Sequence, residues 1–132
     1  MNLKRFVIEM GTGIDQHGQD STKAAARAVE DAVRRICLAG LGEIVRLGDA
    51  NDMVVDVLVA CPNPNSVKKD VVLKALPFGK KQIKVIKGGL LAPVLFAANL
   101  GDKTADAVMA NAAVTVSVDM DKVLEAWKEG LT

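Results

Sequence analysis

The sequence has 132 residues, of which half are hydrophobic and a quarter are charged, and its formal net charge is +1. This length and composition are typical of one globular domain, residues 1–132, whose core needs neither disulfides nor a metal. The near-neutral charge and an aromatic content of 3% argue against a nucleic-acid partner, because basic surfaces and stacked aromatic side chains provide that kind of binding.

The two cysteines, Cys37 and Cys61, lack the spacing of a disulfide framework or a zinc finger. No apolar run approaches the length of a transmembrane helix, and the first residues lack the apolar core of a signal peptide. We therefore expect a cytoplasmic location and no membrane partner. Cys37 is expected in the core, on the apolar face of the first helix. Cys61 is expected to be a small core residue, with a nucleophile activated by His17 as the alternative.

The first elements follow from periodicity and capping residues. Alternating apolar side chains predict a strand over residues 3–10, and three closely spaced glycines predict a loop over residues 11–18. A helix then begins at a cap formed by Asp20 or Ser21 and ends at Gly40.

A short strand is predicted over residues 43–47, and a second strand, Met53–Cys61, is apolar on both faces. Asp56 interrupts that strand; we expect it to be buried and paired with an arginine or lysine, with a metal as the alternative partner. The remaining predictions are a helix over residues 67–76, strands over 81–87 and 108–118, and a helix over 121–130. No element is predicted for residues 90–107. The order βαβαββα predicts an α/β (α+β) fold of two layers with a mixed sheet.

The segment Gly11-Thr12-Gly13-Ile14-Asp15-Gln16-His17-Gly18 is the candidate ligand site. It joins a strand to a helix, where α/β proteins commonly bind ligands, and its glycines allow close approach to the backbone. We therefore expect Gly11, Thr12, Gly13 and Gly18 to contact a small-molecule ligand. Asn111, in a later apolar run, either faces that ligand or bonds to backbone at a bulge.

Asp15 and His17 are two residues apart, so in an extended segment they point the same way. Carboxylate and imidazole groups are both good ligands for zinc or a similar divalent ion, and His17 is the one histidine of the sequence. The alternative interpretation is structural: Asp15 caps the turn and His17 fills a gap at the surface.

Three functions are compatible with this segment. The first is a metal-assisted enzyme in which Asp15 and His17 hold the ion and act on a small metabolite, with an anionic metabolite as a candidate. The second is a non-catalytic oligomeric protein that binds an anion at the same loop. The third is an acid–base enzyme without a metal, in which Asp15 orients His17.

Seven lysines lie close together in the middle of the chain, with Asp70 as the one acidic residue among them. They are Lys68, Lys69, Lys74, Lys80, Lys81, Lys84 and Lys87. They form a solvated face or a site for an anionic substrate.

The motif Gly11-x-Gly13-x-Asp15-x-His17-Gly18 resembles the signature of an uncharacterised family of small conserved hypothetical proteins. The family occurs in bacteria and, with a long N-terminal extension, in plants. The segment Ala110-Asn111-Ala112-Ala113-Val114 also resembles this family, and the resemblance covers essentially the whole chain. It implies no activity.

The same short motif is similar to the zinc-binding start of 2-C-methyl-D-erythritol 2,4-cyclodiphosphate synthase. That resemblance implies a chorismate-mutase-like architecture, a homotrimer, and Asp15 and His17 as metal ligands. The synthase uses a second histidine as its third ligand, which this sequence lacks; Asp56, Cys61 or a neighbouring subunit would have to replace it.

An oligomer is also expected from the strand Met53–Cys61, because one long amphipathic helix cannot cover both faces of the sheet. We expect a homo-oligomer, a trimer by the resemblance to the synthase, with a dimer as the next choice.

Overall fold

The computed structural model describes residues 1–131 and has five strands and four α-helices in that range. They are β1 (Leu3–Asp15), α1 (Ser21–Arg34), α2 (Ala39–Glu43), β2 (Val54–Cys61), α3 (Lys69–Leu73), β3 (Lys80–Lys87), β4 (Leu90–Pro93), β5 (Asp106–Asp119) and α4 (Met120–Leu131). Short 3-10 turns lie at Ala50–Asp52, Pro64–Ser66 and Ala98–Leu100. The predicted α/β class with two layers is confirmed, and β4 lies in the stretch for which the sequence predicts no element.

The sheet is mixed, as predicted, with β5 at its centre. The strand order is β1-β5-β2-β3, and β4 pairs with the first residues of β5. β2 and β3 run parallel, whereas β5 is antiparallel to each of its neighbours. Gly13 of β1 is opposite Ala110 of β5, and Thr12 is opposite Asn111. The glycine-rich segment and the Asn111 segment are therefore neighbours in the sheet.

Helix α1 covers one face of the sheet with a surface of small side chains. Ala24, Ala28 and Ala32 are fully buried. A Cβ atom added to Gly11 would overlap the carbonyl oxygen of Ala28, and one added to Gly13 would overlap that of Ala24. These two glycines therefore let the strand approach the helix backbone. The predicted loop beginning at Gly11 is wrong, because the glycines serve packing within a strand that continues to Asp15.

The start of α1 is as predicted, but its end is not. Asp20 caps the helix by accepting the N–H groups of Thr22 at 2.8 Å and Lys23 at 3.4 Å. The helix ends at Arg34, so the predicted end at Gly40 is wrong. Cys37 consequently lies beyond the helix and is exposed, contrary to its expected place in the core.

The strand expected over residues 43–47 does not form, and that prediction is wrong. Helix α2 ends at Glu43, and the chain continues from there as a turn and irregular structure. The apolar side chains of this region do not alternate across a sheet. Instead, Leu38, Leu41 and Leu47 turn toward the end of the core below α1. Burial at the end of the core, rather than strand pairing, accounts for their apolar character.

Strand β2 is buried along one face, whereas on the other face only Val54 is buried. Val55, Val57 and Val59 face the core, whereas Asp56 and Leu58 on the opposite face are exposed. The prediction of a buried, paired Asp56 is wrong, because its carboxylate faces solvent and needs no buried counter-charge.

The predicted helix over residues 67–76 is shortened to α3. Strands β3 and β5 and helix α4 agree with prediction to within one or two residues at each end. In the described part of the chain, no helix is both long and apolar enough to cross a bilayer.

Candidate active site at His17 and Asp102

The second half of the glycine-rich motif turns from β1 into α1. Asp15, the last residue of β1, is 4% exposed. Its Oδ2 atom accepts the N–H of Asp20 at 2.7 Å, and its Oδ1 atom is 3.3 Å from Nη1 of Arg27. The same Arg27 nitrogen donates to the carbonyl of Ile14 at 2.6 Å. Asp15 therefore ties the strand end to the helix start.

His17 does not pair with Asp15. Its Nδ1 atom lies 2.8 Å from Oδ1 of Asp102, a residue 85 positions away. The Asp102 side chain is fully buried, whereas the imidazole is 36% exposed. Nδ1 of His17 is thus bound to a buried carboxylate, and part of the imidazole ring is accessible to solvent.

The carboxylate of Asp102 is stabilised in its ionised form. Burial raises the pKa of Asp102, but hydrogen bonds from the Ala97 N–H and from His17, the His17 charge and the Gly18 N–H outweigh burial and bring the pKa below its ordinary value. The Ala97 N–H donates to Oδ2 at 2.8 Å. An ionised carboxylate only accepts hydrogen bonds, so Nδ1 of His17 carries the proton. In the neutral imidazole, Nε2 is then left with its lone pair.

The loop that carries His17 is fastened to the loop that carries Asp102. Oε1 of Gln19 accepts the N–H groups of Lys103 and Thr104, each at 2.9 Å, and Nε2 of Gln19 donates to the carbonyl of Thr104 at 2.6 Å. Gly18 has φ 82° and Gln19 has φ 52°. A non-glycine residue in this left-handed region is strained, and such strain is concentrated at functional sites.

The other predicted ligand residues are distributed over both faces of the sheet. The Cα atoms of Gly11 and Gly13 are covered by α1, and the N–H of Thr12 donates to Oδ2 of Asp31 at 2.9 Å. Thr12 and Asn111 lie side by side on the exposed face. Gly18 alone of the predicted glycines lies in the turn beside His17.

The donor groups do not fit the expected zinc site. The Asp15 carboxylate already contacts the Arg27 guanidinium. This positive charge lies where a metal cation would have to bind, and two cations at one carboxylate repel each other. Within residues 1–131, no three His, Cys, Asp or Glu side chains come close enough together to hold a metal ion. Asp56 and Cys61, the suggested third ligands, lie on opposite faces of β2.

The backbone groups needed for an anion site at the start of α1 are engaged as well. Asp20 accepts the N–H groups of Thr22 and Lys23 with its side chain, and its carbonyl accepts that of Ala24. An anion at this helix start would have to displace a carboxylate that already caps it.

Cys61 is a core residue, as expected. Its side chain is fully buried, and burial raises the pKa of the thiol against the smaller opposing effect of the Asn63 N–H. A thiol in this environment is a poor nucleophile, because the thiolate is the reactive form. The geometry therefore gives no support to the alternative in which His17 activates Cys61.

Asp102 is the residue that sequence reasoning missed. It follows Gly101, which takes φ 89° at the end of a 3-10 turn. The apolar residues on either side do not recur at the spacing of a helix or a strand, so the sequence predicts no element there. The chemistry of an Asp–His pair depends here on two loops that are distant in the chain, which spacing within one motif cannot reveal.

Residues 5–116 match a family of conserved hypothetical proteins, Lin0512_fam. The chain belongs to this family. The expectation of an uncharacterised conserved family, drawn from the glycine-rich motif, is thus confirmed. A Lin0512_fam match assigns no activity, and the similarity to the cyclodiphosphate synthase stays a prediction.

A solved structure supports the fold of this Lin0512_fam member. The crystal structure of an FtsZ-like protein of unknown function from Nostoc punctiforme PCC 73102 is 44% identical in sequence, with a TM-score of 0.83. The match covers 90% of this chain and 98% of that chain. No curated protein matches the sequence.

The Lin0512_fam chain also has an apolar cavity away from His17. It has a volume of about 390 Å³ and lies between α2, the end of α1 and the sheet, lined by residues such as Val33, Leu41 and Phe78. None of its lining residues is charged. Such a cavity accepts apolar groups.

Proposed function

We propose that this protein is an acid–base enzyme that acts on a small molecule at His17, which Asp102 orients. The observation that carries the proposal is the 2.8 Å contact between His17 Nδ1 and a fully buried Asp102 carboxylate. A carboxylate on one ring nitrogen fixes the tautomer and orientation of a catalytic histidine and stabilises the imidazolium that forms when the histidine takes a proton.

The chemistry follows from the two nitrogens of the ring. Nδ1–H donates to Asp102, so Nε2 accepts a proton from the substrate and later returns it to the product. His17 is the catalytic residue, and Asp102 is a positioning residue.

The role of Asp15 changes in this proposal. In the sequence-based hypothesis Asp15 orients His17, but in the structure the Asp15 carboxylate contacts Arg27 and accepts the N–H of Asp20. Asp15 then holds the strand–helix junction on which the His17 loop is built. The metal-assisted alternative would require ligands beyond those that the described residues bring together.

The test is turnover of a panel of small carboxylate, phosphate and carbonyl metabolites by wild type, His17→Gln and Asp102→Asn, followed by mass spectrometry. We expect wild type to convert a panel compound and His17→Gln to lose about 10²–10⁴-fold in kcat. Asp102→Asn should lower kcat more than it raises KM and should change the pH–rate profile, because the wrong tautomer is stabilised. Binding of a compound by all three proteins without turnover would indicate a ligand-binding protein instead.

The apolar cavity favours a second candidate function, the binding of an apolar small molecule. Its uncharged lining and volume of about 390 Å³ suit a small ring or short hydrocarbon chain. Fluorescence of an anilinonaphthalene sulfonate probe tests this, with Leu41→Trp as the variant that fills the cavity. Equal probe binding by wild type and Leu41→Trp would place the probe elsewhere.

A further inference from the structure

The sheet face opposite α1 is largely apolar, with Asp56 and Lys84 toward its β3 side, and no element within residues 1–131 covers it. We call it the open face. Its large side chains are each at least 39% exposed. They are Ile8, Met10, Ile14, Leu58 and Ile86. Between them, small or uncharged residues of β5, including Asn111 and Ala113, form the floor of a groove of about 550 Å³.

A second apolar surface follows in the chain. The segment from Leu90 to Leu100, which we call the arm, consists of β4 and the loop and 3-10 turn after it. Its large side chains are all at least 43% exposed. They are Leu90, Leu91, Val94, Leu95, Phe96 and Leu100. No charged residue occurs between Gly88 and Gly101.

Two edges of the sheet, β1 and β3, are unfavourable for pairing with a further strand. On β1, Arg35 donates to the carbonyl of Met10, Asp31 accepts the N–H of Thr12, and Arg27 donates to the carbonyl of Ile14. These side chains, two from α1 and one from the residue that follows it, occupy backbone groups that an added strand would use. At the opposite edge, β3 carries four lysines, which oppose pairing with another strand. We therefore expect a partner to approach the open face rather than the β1 or β3 edge.

The open face alone is within the size range of the largest patch on a lone small protein, and only together with the arm is the exposed area larger. With strands about 4.8 Å apart and residues about 3.3 Å apart, the open face over β1, β5, β2 and β3 covers on the order of 400 Å². The largest apolar patch on a typical monomer is about 300–600 Å², and the arm adds a comparable surface. Together they approach the roughly 800 Å² that each partner buries in a standard interface.

We propose that the open face is the docking site for the arm of a second copy of this chain. The arm carries no charged residue, and the two charged side chains that line the groove of the open face, Asp31 and Arg35, pair with each other at 3.0 Å. Docking of the arm in the groove therefore buries no unpaired ion. The groove along β5 offers a concave surface, and the arm offers exposed apolar side chains that a second copy of the chain supplies. Each subunit then contributes its face to one contact and its arm to another, as in a ring or a reciprocal dimer.

The proposal places the His17–Asp102 pair beside the subunit contact. The N–H of Ala97, within the arm, donates to Asp102 at 2.8 Å, and the N–H of Asp102 donates to the Ala97 carbonyl at 3.3 Å. Docking of the arm would order the loop that holds Asp102. The assembly itself does not depend on whether His17 is catalytic.

The test is the mass of the full chain by light scattering at micromolar concentration. We expect wild type to be at least twice the 13.9 kDa chain mass. Leu58→Glu, on the face, and Leu95→Glu, on the arm, should each be monomeric. Glu at position 58 would lie beside Lys84, so it should not disturb the monomer. Ile44→Glu, which changes an equally exposed residue of the helix layer, should assemble as wild type does.

Mixing the two monomeric variants identifies the pairing. The Leu58→Glu chain retains an intact arm and the Leu95→Glu chain an intact face, so the mixture should form a complex of two chains. A mixture that stays monomeric, or a Leu95→Glu protein that still assembles, would overturn docking of the arm on the face. A monomeric wild type, or dissociation by Ile44→Glu, would overturn it as well.

Folding of each variant is checked by circular dichroism and thermal unfolding. If Leu58→Glu fails to fold, Met10→Glu replaces it, because Met10 is 66% exposed on the same face. For the arm, Phe96→Glu replaces Leu95→Glu in the same way. The same mixing result is then required.

Discussion

The imidazole of His17 and the carboxylate of Asp102 are 2.8 Å apart although 85 residues separate them in the chain. The pair joins the turn before α1 to the loop before β5, and Gln19 adds three further hydrogen bonds between the same loops. The site is thus a connection between two loops, one before α1 and one before β5. Its chemistry depends on the fold as a whole.

The first prediction concerns the acid stability of the protein. The pKa of Asp102 is lowered in the folded state, so its contribution to stability is present above the ordinary pKa of about 3.9 for an unfolded aspartate. That contribution is lost as the pH falls through the lower pKa of the folded state. Asp102→Asn should therefore lose less unfolding free energy than wild type between pH 6 and pH 2, measured by urea unfolding.

The matched control for this prediction is Asp70→Asn, which removes an exposed carboxylate from α3. It should follow wild type through the acid range. His17→Ala should remain folded at neutral pH, because the imidazole contributes little to the core. Identical acid profiles for wild type and Asp102→Asn would show that the ion pair does not contribute to folding.

The second prediction concerns the contact between strand β1 and helix α1. Gly13→Ala would place a methyl group against the backbone of Ala24 and Ala28, and the helix would have to move. We expect a loss of about 1–3 kcal/mol in unfolding free energy, the usual cost of overpacking. Gly42→Ala is the control, because no atom lies within 4 Å of the added group. A Gly13→Ala protein as stable as wild type would contradict the close packing.

These glycines show how far sequence reasoning reaches. The helix cap at Asp20, the central strand and the fold class follow from local patterns, because capping and alternation act over a few residues. The role of Gly13 does not, since a glycine that allows close packing looks the same in sequence as one that allows a turn. Asp102 was missed for a related reason. Its partner His17 lies in a distant loop, and neither loop has a repeating pattern of apolar residues that would predict its position.

The third prediction separates the two cysteines. Cys37 is exposed, whereas Cys61 is buried and its thiol pKa is raised, chiefly by burial. Iodoacetamide should modify Cys37 at least about tenfold faster than Cys61, because reaction requires an accessible thiolate. Peptide mass spectrometry over time measures both rates, and Cys37→Ser should remove the fast phase. Equal rates at the two cysteines would contradict the difference in exposure between Cys37 and Cys61.

The fourth prediction assigns Asp15 a structural role. Its carboxylate is 4% exposed and accepts from Asp20 at 2.7 Å and from Arg27 at 3.3 Å. Asp15→Asn keeps the size of the side chain but replaces one accepting oxygen with a donor, which would face an N–H group. We expect a loss of about 1–3 kcal/mol, the cost of a buried hydrogen bond left unmade. Urea unfolding measures this loss, and Asp121→Asn at an exposed position is the control.

A chelator distinguishes this role from the metal ligand expected from the sequence. A bound metal would stabilise the folded protein by mass action, so its removal would lower the Tm. Because Arg27 already occupies one side of the carboxylate, we expect the wild-type Tm to be the same with and without a chelator. The Asp15→Asn protein should have a lower Tm that is equally insensitive. A wild-type Tm that falls with chelator to the value of Asp15→Asn would instead assign Asp15 to a metal site and would remove the structural interpretation.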